Sequence, residues 1–278
     1  GNEDDYLLAG GGAAGTFLCA IADGMGGLAG GAEASRTALR AFGQCVLDEH
    51  AAPALAARLH EGFAAAVLRV HEASVAVPAL RDMGTTLTAL CFHGGEVALG
   101  HVGDTRAYRL QGAKCEQIST DHAVRQPENL LTRCIGAGQD SVAADVATFG
   151  CGPNDRFLLV TDGVWSVLPA GVLAKLGGRG TPQEAAEALV AEALAAGGPD
   201  NATAVVVAVV GTAGAGEADV ALPRDERPDD RRAWPRPQSL RGPLWPWALL
   251  AVATVVGVHA ALRWSGVPQG LFGMLPGR

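Results

Sequence analysis

Four short β-branched runs in this chain stop or start on an acidic residue, and that pattern limits the possible folds more than any bulk property does. Thr16–Ala22 runs into Asp23-Gly24, Val97–Val102 into Gly103-Asp104, and Arg156–Thr161 into Asp162-Gly163, while Asp200-Asn201 opens Ala202–Val210. An Asn-Glu-Asp-Asp cluster fills residues 2–5. One acidic turn is ordinary at a strand end, but four of them place carboxylates at the ends of several strands. Leu87–Phe92 and Val97–Val102 read as a hairpin. The Ala-rich stretches Ala32–Glu49, Pro53–Ser74 and Pro182–Ala196 carry apolar residues at three- and four-residue intervals and read as helices. Thr181-Pro182 with Glu184 marks the start of the last one. Helices come in pairs and strands in antiparallel runs, which does not suit a parallel βαβ sheet. The fold expected for residues 1–211 is α+β, a four-layer α/β/β/α sandwich of two antiparallel sheets flanked by helices.

Carboxylates brought together repel one another unless cations neutralise them. A set of hard oxygen ligands without Cys or His selects Mg2+ or Mn2+ over zinc. Two such ions, roughly 3.5–4 Å apart, lower the pKa of a shared water and clamp a phosphoryl oxygen. Charge is distributed accordingly: residues 1–215 hold 13 basic and 23 acidic residues, and residues 216–278 hold 8 and 6. An acidic half of this kind excludes a phosphate-backbone partner, so no nucleic acid is expected. The six cysteines are dispersed, with no CxxC pair, and read as reduced core residues rather than a disulfide framework.

From Leu244 to Leu262 no Asp, Glu, Lys or Arg occurs. As a helix at about 1.5 Å per residue, this stretch spans a hydrocarbon core. Trp245 and Trp247 lie at one end and Trp264 at the other, where interfacial rings belong. A single C-terminal transmembrane helix is therefore expected over 244–264. A Pro/Arg-rich linker precedes it at 212–243 and a short extracytoplasmic tail follows at 265–278. Arg231, Arg232, Arg236 and Arg241 precede the span and only Arg263 and Arg278 follow it, which puts the first 243 residues on the cytoplasmic side of a cell membrane. No signal peptide is read, and the chain is expected to be truncated at its N-terminus.

The wording of the motifs goes beyond spacing. Asp-Gly-Met-Gly-Gly (23–27) is followed by Glu33-Ala34-Ser35, Met-Gly-Thr-Thr-Leu (83–87), Val-Gly-Asp-Thr-Arg-Ala-Tyr (102–108), Thr120-Asp121-His122, Thr-Asp-Gly-Val (161–164) and Asp-Asn-Ala-Thr (200–203). In this order, over residues 2–210, the chain closely resembles the bacterial branch of the type 2C metal-dependent Ser/Thr protein phosphatases. The resemblance implies that Asp23 bridges two metals, that the Gly24 carbonyl completes the first shell, and that Asp162 and Asp200 hold the second ion. Those three aspartates then carry the catalysis. Glu3 and Asp4 match the pair that orders metal-bound waters, with Asp4 counted among the metal residues, and Asn201 braces the Asp200 loop. Asp104 and Asp162 would hold a third, weaker ion. The implied chemistry is attack of a bridging water on phosphorus, with two or three Mn2+ or Mg2+ ions and no phosphoenzyme.

Three departures stand out. The Arg that grips substrate phosphate in the family is expected upstream of residue 1. Met25 stands where eukaryotic members place a His, so no general acid is assigned. Only residues 123–130 separate Asp121-His122 from Leu-Thr-Arg (131–133), a shorter flap than bacterial relatives carry. Thr85, Thr86, His101 and His122 read as structural, and Gly26 and Gly27 as a tight turn that also lets the backbone approach the site. Phosphorylated Ser/Thr proteins are the expected partners of a monomeric enzyme, with a membrane Ser/Thr kinase as a further partner and the lipid bilayer reached through one helix. The alternatives are a partner-switch phosphatase and a non-catalytic phosphoprotein-binding regulator of the same fold.

Overall fold

The computed structural model describes residues 1–10, 16–27, 30–112, 114–124, 130–198 and 200–210, and the backbone of 250–258. The linker at 212–243 and the tail at 265–278 lie outside them. The chain begins with β1 (Asp5–Gly10), β2 (Phe17–Ala22) and a short β3 (Gly24–Met25), followed by helices α1 (Gly30–Val46) and α2 (Leu55–Ala76). A 3-10 turn at Pro78–Leu80 leads into β4 (Gly84–Thr85), β5 (Leu87–His93), β6 (Glu96–Val102), β7 (Arg106–Gln111) and β8 (Lys114–Gln117). Next come β9 (Ala123–Val124), β10 (Leu130–Leu131), β11 (Ile135–Gly136), β12 (Asp145–Gly150) and β13 (Asp155–Val160). The last elements are α3 (Asp162–Trp165), α4 (Ala170–Gly177), α5 (Pro182–Ala195), β14 (Ala202–Val210) and β15 (Leu250–Val258).

Two five-stranded antiparallel sheets form the frame, one in the order β1-β2-β5-β6-β12 and the other β15-β14-β13-β7-β8. Strand residues alternate between faces, and here both faces are apolar because each sheet is covered on both sides. In β2, Phe17, Cys19 and Ile21 enter the core between the sheets, whereas Leu18, Ala20 and Ala22 face α1 and α2. In β13, Phe157 and Leu159 point between the sheets while Leu158 and Val160 face α4 and α5. Three apolar layers separate four layers of secondary structure, as the run pattern predicts. Edge-to-face contacts of Phe42 with Phe63, and of Phe92 with Phe157, fill two of those layers. α5 opens with a capping box: Thr181 Oγ1 accepts from the Glu184 N–H, and the Thr181 N–H donates to the Glu184 carboxylate.

Only part of the stretch expected as a membrane helix is described, and that part is strand. Residues 244–249 and 259–264 lie outside the described residues, but Leu250–Val258 is a strand paired antiparallel with β14, from Ala202↔Val258 to Val210↔Leu250. Among the described residues no helix is long and apolar enough to cross a membrane. The physical reason is legible in the run itself, since Val252, Thr254, Val255, Val256 and Val258 are β-branched and suit a pleated strand. Periodicity cannot distinguish a wholly apolar strand from a wholly apolar helix.

Candidate functional site

Strand register builds the site. The β1–β2 ladder ends at Asp5↔Ala22, so the next pair outward is Asp4 opposite Asp23. The β2–β5 ladder ends at Ile21↔Thr88, which sets Thr86 beside Asp23. There the Asp23 N–H donates to Thr86 Oγ1 at 2.9 Å, the Thr86 N–H donates to the Asp23 carbonyl at 2.9 Å, and Thr85 Oγ1 donates to that same carbonyl at 2.9 Å. The two threonines thus grip the backbone of Asp23, in keeping with the structural role expected of them. β5 and β6 end at Leu87↔Val102, placing the Gly103-Asp104 turn at the same edge. In the second sheet, β13 ends at Val160, paired with Arg106 on one side and Ala204 on the other. Asp104, Asp162 and Asp200 therefore leave the ladders at one end of the sandwich.

Each acidic turn is tied to its neighbours. Asp4 is buried, and its Oδ2 accepts from Thr203 Oγ1 at 2.6 Å and Thr161 Oγ1 at 2.9 Å. The Glu3 carbonyl accepts from the Gly24 N–H at 3.2 Å and from the buried Ser35 hydroxyl at 2.7 Å. Asn201 Oδ1 accepts from the Glu3 N–H at 2.9 Å, so Asn201 ties the Asp200 loop to the N-terminal cluster. Close backbone approach makes two glycines obligatory. A Cβ on Gly24 would lie 2.1 Å from the Gly31 carbonyl oxygen, and one on Gly163 would lie 2.1 Å from the Asn201 carbonyl oxygen.

These contacts bring Asp4, Asp23, Asp104, Asp162 and Asp200 into one electrostatic group. Asp23 keeps some solvent access by surface area, yet its carboxyl is pushed well above the usual range. Burial is the first cause, followed by the charges of Asp4, Asp162, Asp200 and Asp104. Asp4 is pushed up to about 7 by burial, against the opposing hydroxyls of Thr203 and Thr161, with Asp162 and Asp200 adding repulsion. Glu3 is raised by burial, with Asp200 contributing. Among the described residues, no three His, Cys, Asp or Glu side chains already close a metal cage. The acids are instead near enough to repel one another, and hard cations relieve that repulsion. The all-oxygen donor set thus fits Mg2+ or Mn2+.

The two expected core histidines are where a structural role puts them. His101 is fully buried between Thr88 Oγ1 (2.8 Å) and the Thr120 carbonyl (3.0 Å). The buried His122 accepts from the Gly103 N–H at 3.2 Å, and its Nε2 lies 3.0 Å from Asp145. All six cysteines are free thiols, with Cys19, Cys91 and Cys134 buried. Of the short flap, β9 and β10 pair through Val124↔Leu130, and residues 125–129 are outside the described set. A separate groove of about 290 Å3, lined by His60, Phe63, Val67, Leu68, His71 and Asp140, holds none of the acidic cluster. Ser35, Thr161 and Thr203 serve the site without having been singled out from the sequence. All three sit inside recognised motifs, and their hydroxyls near carboxylates were the available signal.

The family model for protein phosphatase 2C matches residues 2–196. The chain belongs to that family. It is 33% identical over 229 residues to the serine/threonine protein phosphatase PstP of Mycobacterium tuberculosis, covering 75% of this chain and 42% of that protein, so it spans less than half of the relative's length. It is 28% identical over 209 residues to the serine/threonine phosphatase stp of Listeria innocua, covering 67% of this chain and 82% of the relative. Among solved structures, the catalytic domain of PstP in complex with two manganese ions superposes with a TM-score of 0.66 at 30% identity. That match covers 76% of this chain and 92% of that one.

Proposed function

We propose that this chain is a Mn2+- or Mg2+-dependent protein phosphatase that hydrolyses phosphoserine and phosphothreonine. The carrying observation is the convergence of five aspartates from both sheets on one edge, with Asp23 raised by burial and then by the charges of the other four. The family and the manganese-bound relative support the same reading. Two divalent ions bound there would supply a water of lowered pKa and positive charge against the phosphoryl oxygens. Asp23, the Gly24 carbonyl, Asp162 and Asp200 would hold these two ions. Asp104 with Asp162 would hold a third. Asp4 keeps one oxygen on the hydroxyls of Thr161 and Thr203, and it and Glu3 would orient water. Asn201 keeps the Asp200 loop in place for them. Phosphate monoesters hydrolyse extremely slowly unaided, which accounts for so dense a concentration of charge.

The purified chain is expected to release phosphate from p-nitrophenyl phosphate and from a phosphothreonine peptide with Mn2+, and Asp162→Asn to abolish both. Activity that persists in EDTA would falsify the metal-dependent reading.

Phosphorylated Ser/Thr proteins are the proposed substrates, a membrane Ser/Thr kinase the proposed partner, and a monomer the proposed form. Attachment to the cytoplasmic membrane is proposed on composition, through the uncharged run from Leu244 and its flanking tryptophans. It requires Leu250–Val258 to leave β14.

A further inference from the structure

The β7–β13 ladder stops at Arg106↔Val160. Two residues beyond that pair, on opposite strands, stand Asp104 and Asp162, past the last ladder bond. Asp104 sits in the turn where the chain crosses from β6 of one sheet to β7 of the other. The spacing of these two acids therefore depends on contacts made by the turns themselves. One such contact joins the two turns. Asp162 is the first residue of α3 and Trp165 the last, one helical turn later, and the Trp165 indole Nε1–H donates to the Asp104 carbonyl at 3.0 Å. The indole is in turn held on its face: the Arg106 guanidinium carbon lies 3.7 Å from the ring centroid. Asp121 grips that guanidinium at 2.8–3.1 Å, and the Tyr108 hydroxyl lies 3.2 Å from Arg106 Nη1. A half-buried tryptophan needs a partner for its N–H and water would serve, but here the partner is the backbone of an acidic site residue.

We propose that Trp165 is a positioning residue that fixes Asp104 against Asp162, and so sets the affinity of the divalent ion those two carboxylates would share. The inference rests on the metal-dependent reading above. Arg106, stacked on the ring, holds the indole in the orientation that delivers the hydrogen bond.

Calorimetric titration of the purified chain with Mn2+ tests this, with Asp104→Asn identifying the binding class that belongs to Asp104. Trp165→Phe keeps an aromatic body and loses the N–H, so it should weaken that class three- to tenfold and leave the tighter ions within twofold. Arg106→Lys keeps the charge and loses the planar stack, and should shift the same class in the same direction by a smaller factor; it decides the matter if Trp165→Phe does not fold. Equal weakening of every class, or no shift in the class of Asp104, overturns the inference, as does an Asp104→Asn variant that loses no class. A parent chain that binds no Mn2+ at all would instead overturn the metal-dependent reading itself.

Discussion

His101 shows how a residue can serve the site without touching it. Burial first, and then the neighbouring His122, push its pKa down from 6.5 to about 4. The folded chain therefore holds this ring neutral where the unfolded chain would protonate it. At this ring the unfolded state binds more protons below about pH 6.5, so its contribution to stability falls as pH drops through that value and the loss is complete near pH 4. The slope approaches about 1.4 kcal/mol per pH unit within that window. The raised carboxyls of Asp4 and Asp23 act in the opposite sense in both proteins, so the difference between the two is what reports the ring: in urea unfolding from pH 7 to 4 the parent should lose stability relative to His101→Asn, and parallel pH profiles would refute the assignment. The structural role of this histidine was legible from its place one strand residue before a Gly-Asp turn. The partners were not, because Thr88 and Thr120 reach it from distant points of the chain. Trp165 was opaque for the same reason, since the Asp104 carbonyl it meets lies 61 residues earlier.

At the scale of elements, β15 is where two physical preferences compete. Nine backbone pairings hold Leu250–Val258 on β14, whose other edge is already paired with β13. Against that, apolar side chains near a bilayer centre each favour insertion by roughly 0.3–0.6 kcal/mol, and the uncharged stretch is nineteen residues long. The proposal of membrane attachment predicts that the full chain sediments with membranes while a version ending at Val210 stays in the supernatant. A full chain found in the supernatant, with a melting temperature lowered by the truncation, would make β15 a permanent strand. Elsewhere the elements followed from pattern. α1, α2 and α5 begin and end within about three residues of the apolar repeats that predict them, and β5–β6 is the expected hairpin. β1, β7, β8, β12 and α4 were not read. β8 and β12 are largely exposed edge strands, so no run of apolar residues announces them.

For the whole molecule, the sandwich carries acids that do not favour each other. Both sheets are stabilised by apolar layers on their two faces, and that stability holds five aspartates together at one edge. The motifs made the members of this group legible, whereas the register that brings Asp4 opposite Asp23 and leaves Asp104 and Asp162 just past the end of the β7–β13 ladder was not. If the acids converge in order to hold cations, Asp23 should cost stability without metal and return it with metal. Thermal unfolding of the parent and of Asp23→Asn, in EDTA and in Mn2+, measures this directly. An ion at a hundred times its dissociation constant adds about 2.7 kcal/mol, which for a domain of this size raises the melting temperature by on the order of 5 °C. The prediction is a crossover: Asp23→Asn melts at or above the parent in EDTA, and below it in Mn2+. A parent whose melting temperature ignores Mn2+, or a variant that gains as much from Mn2+ as the parent, would contradict it.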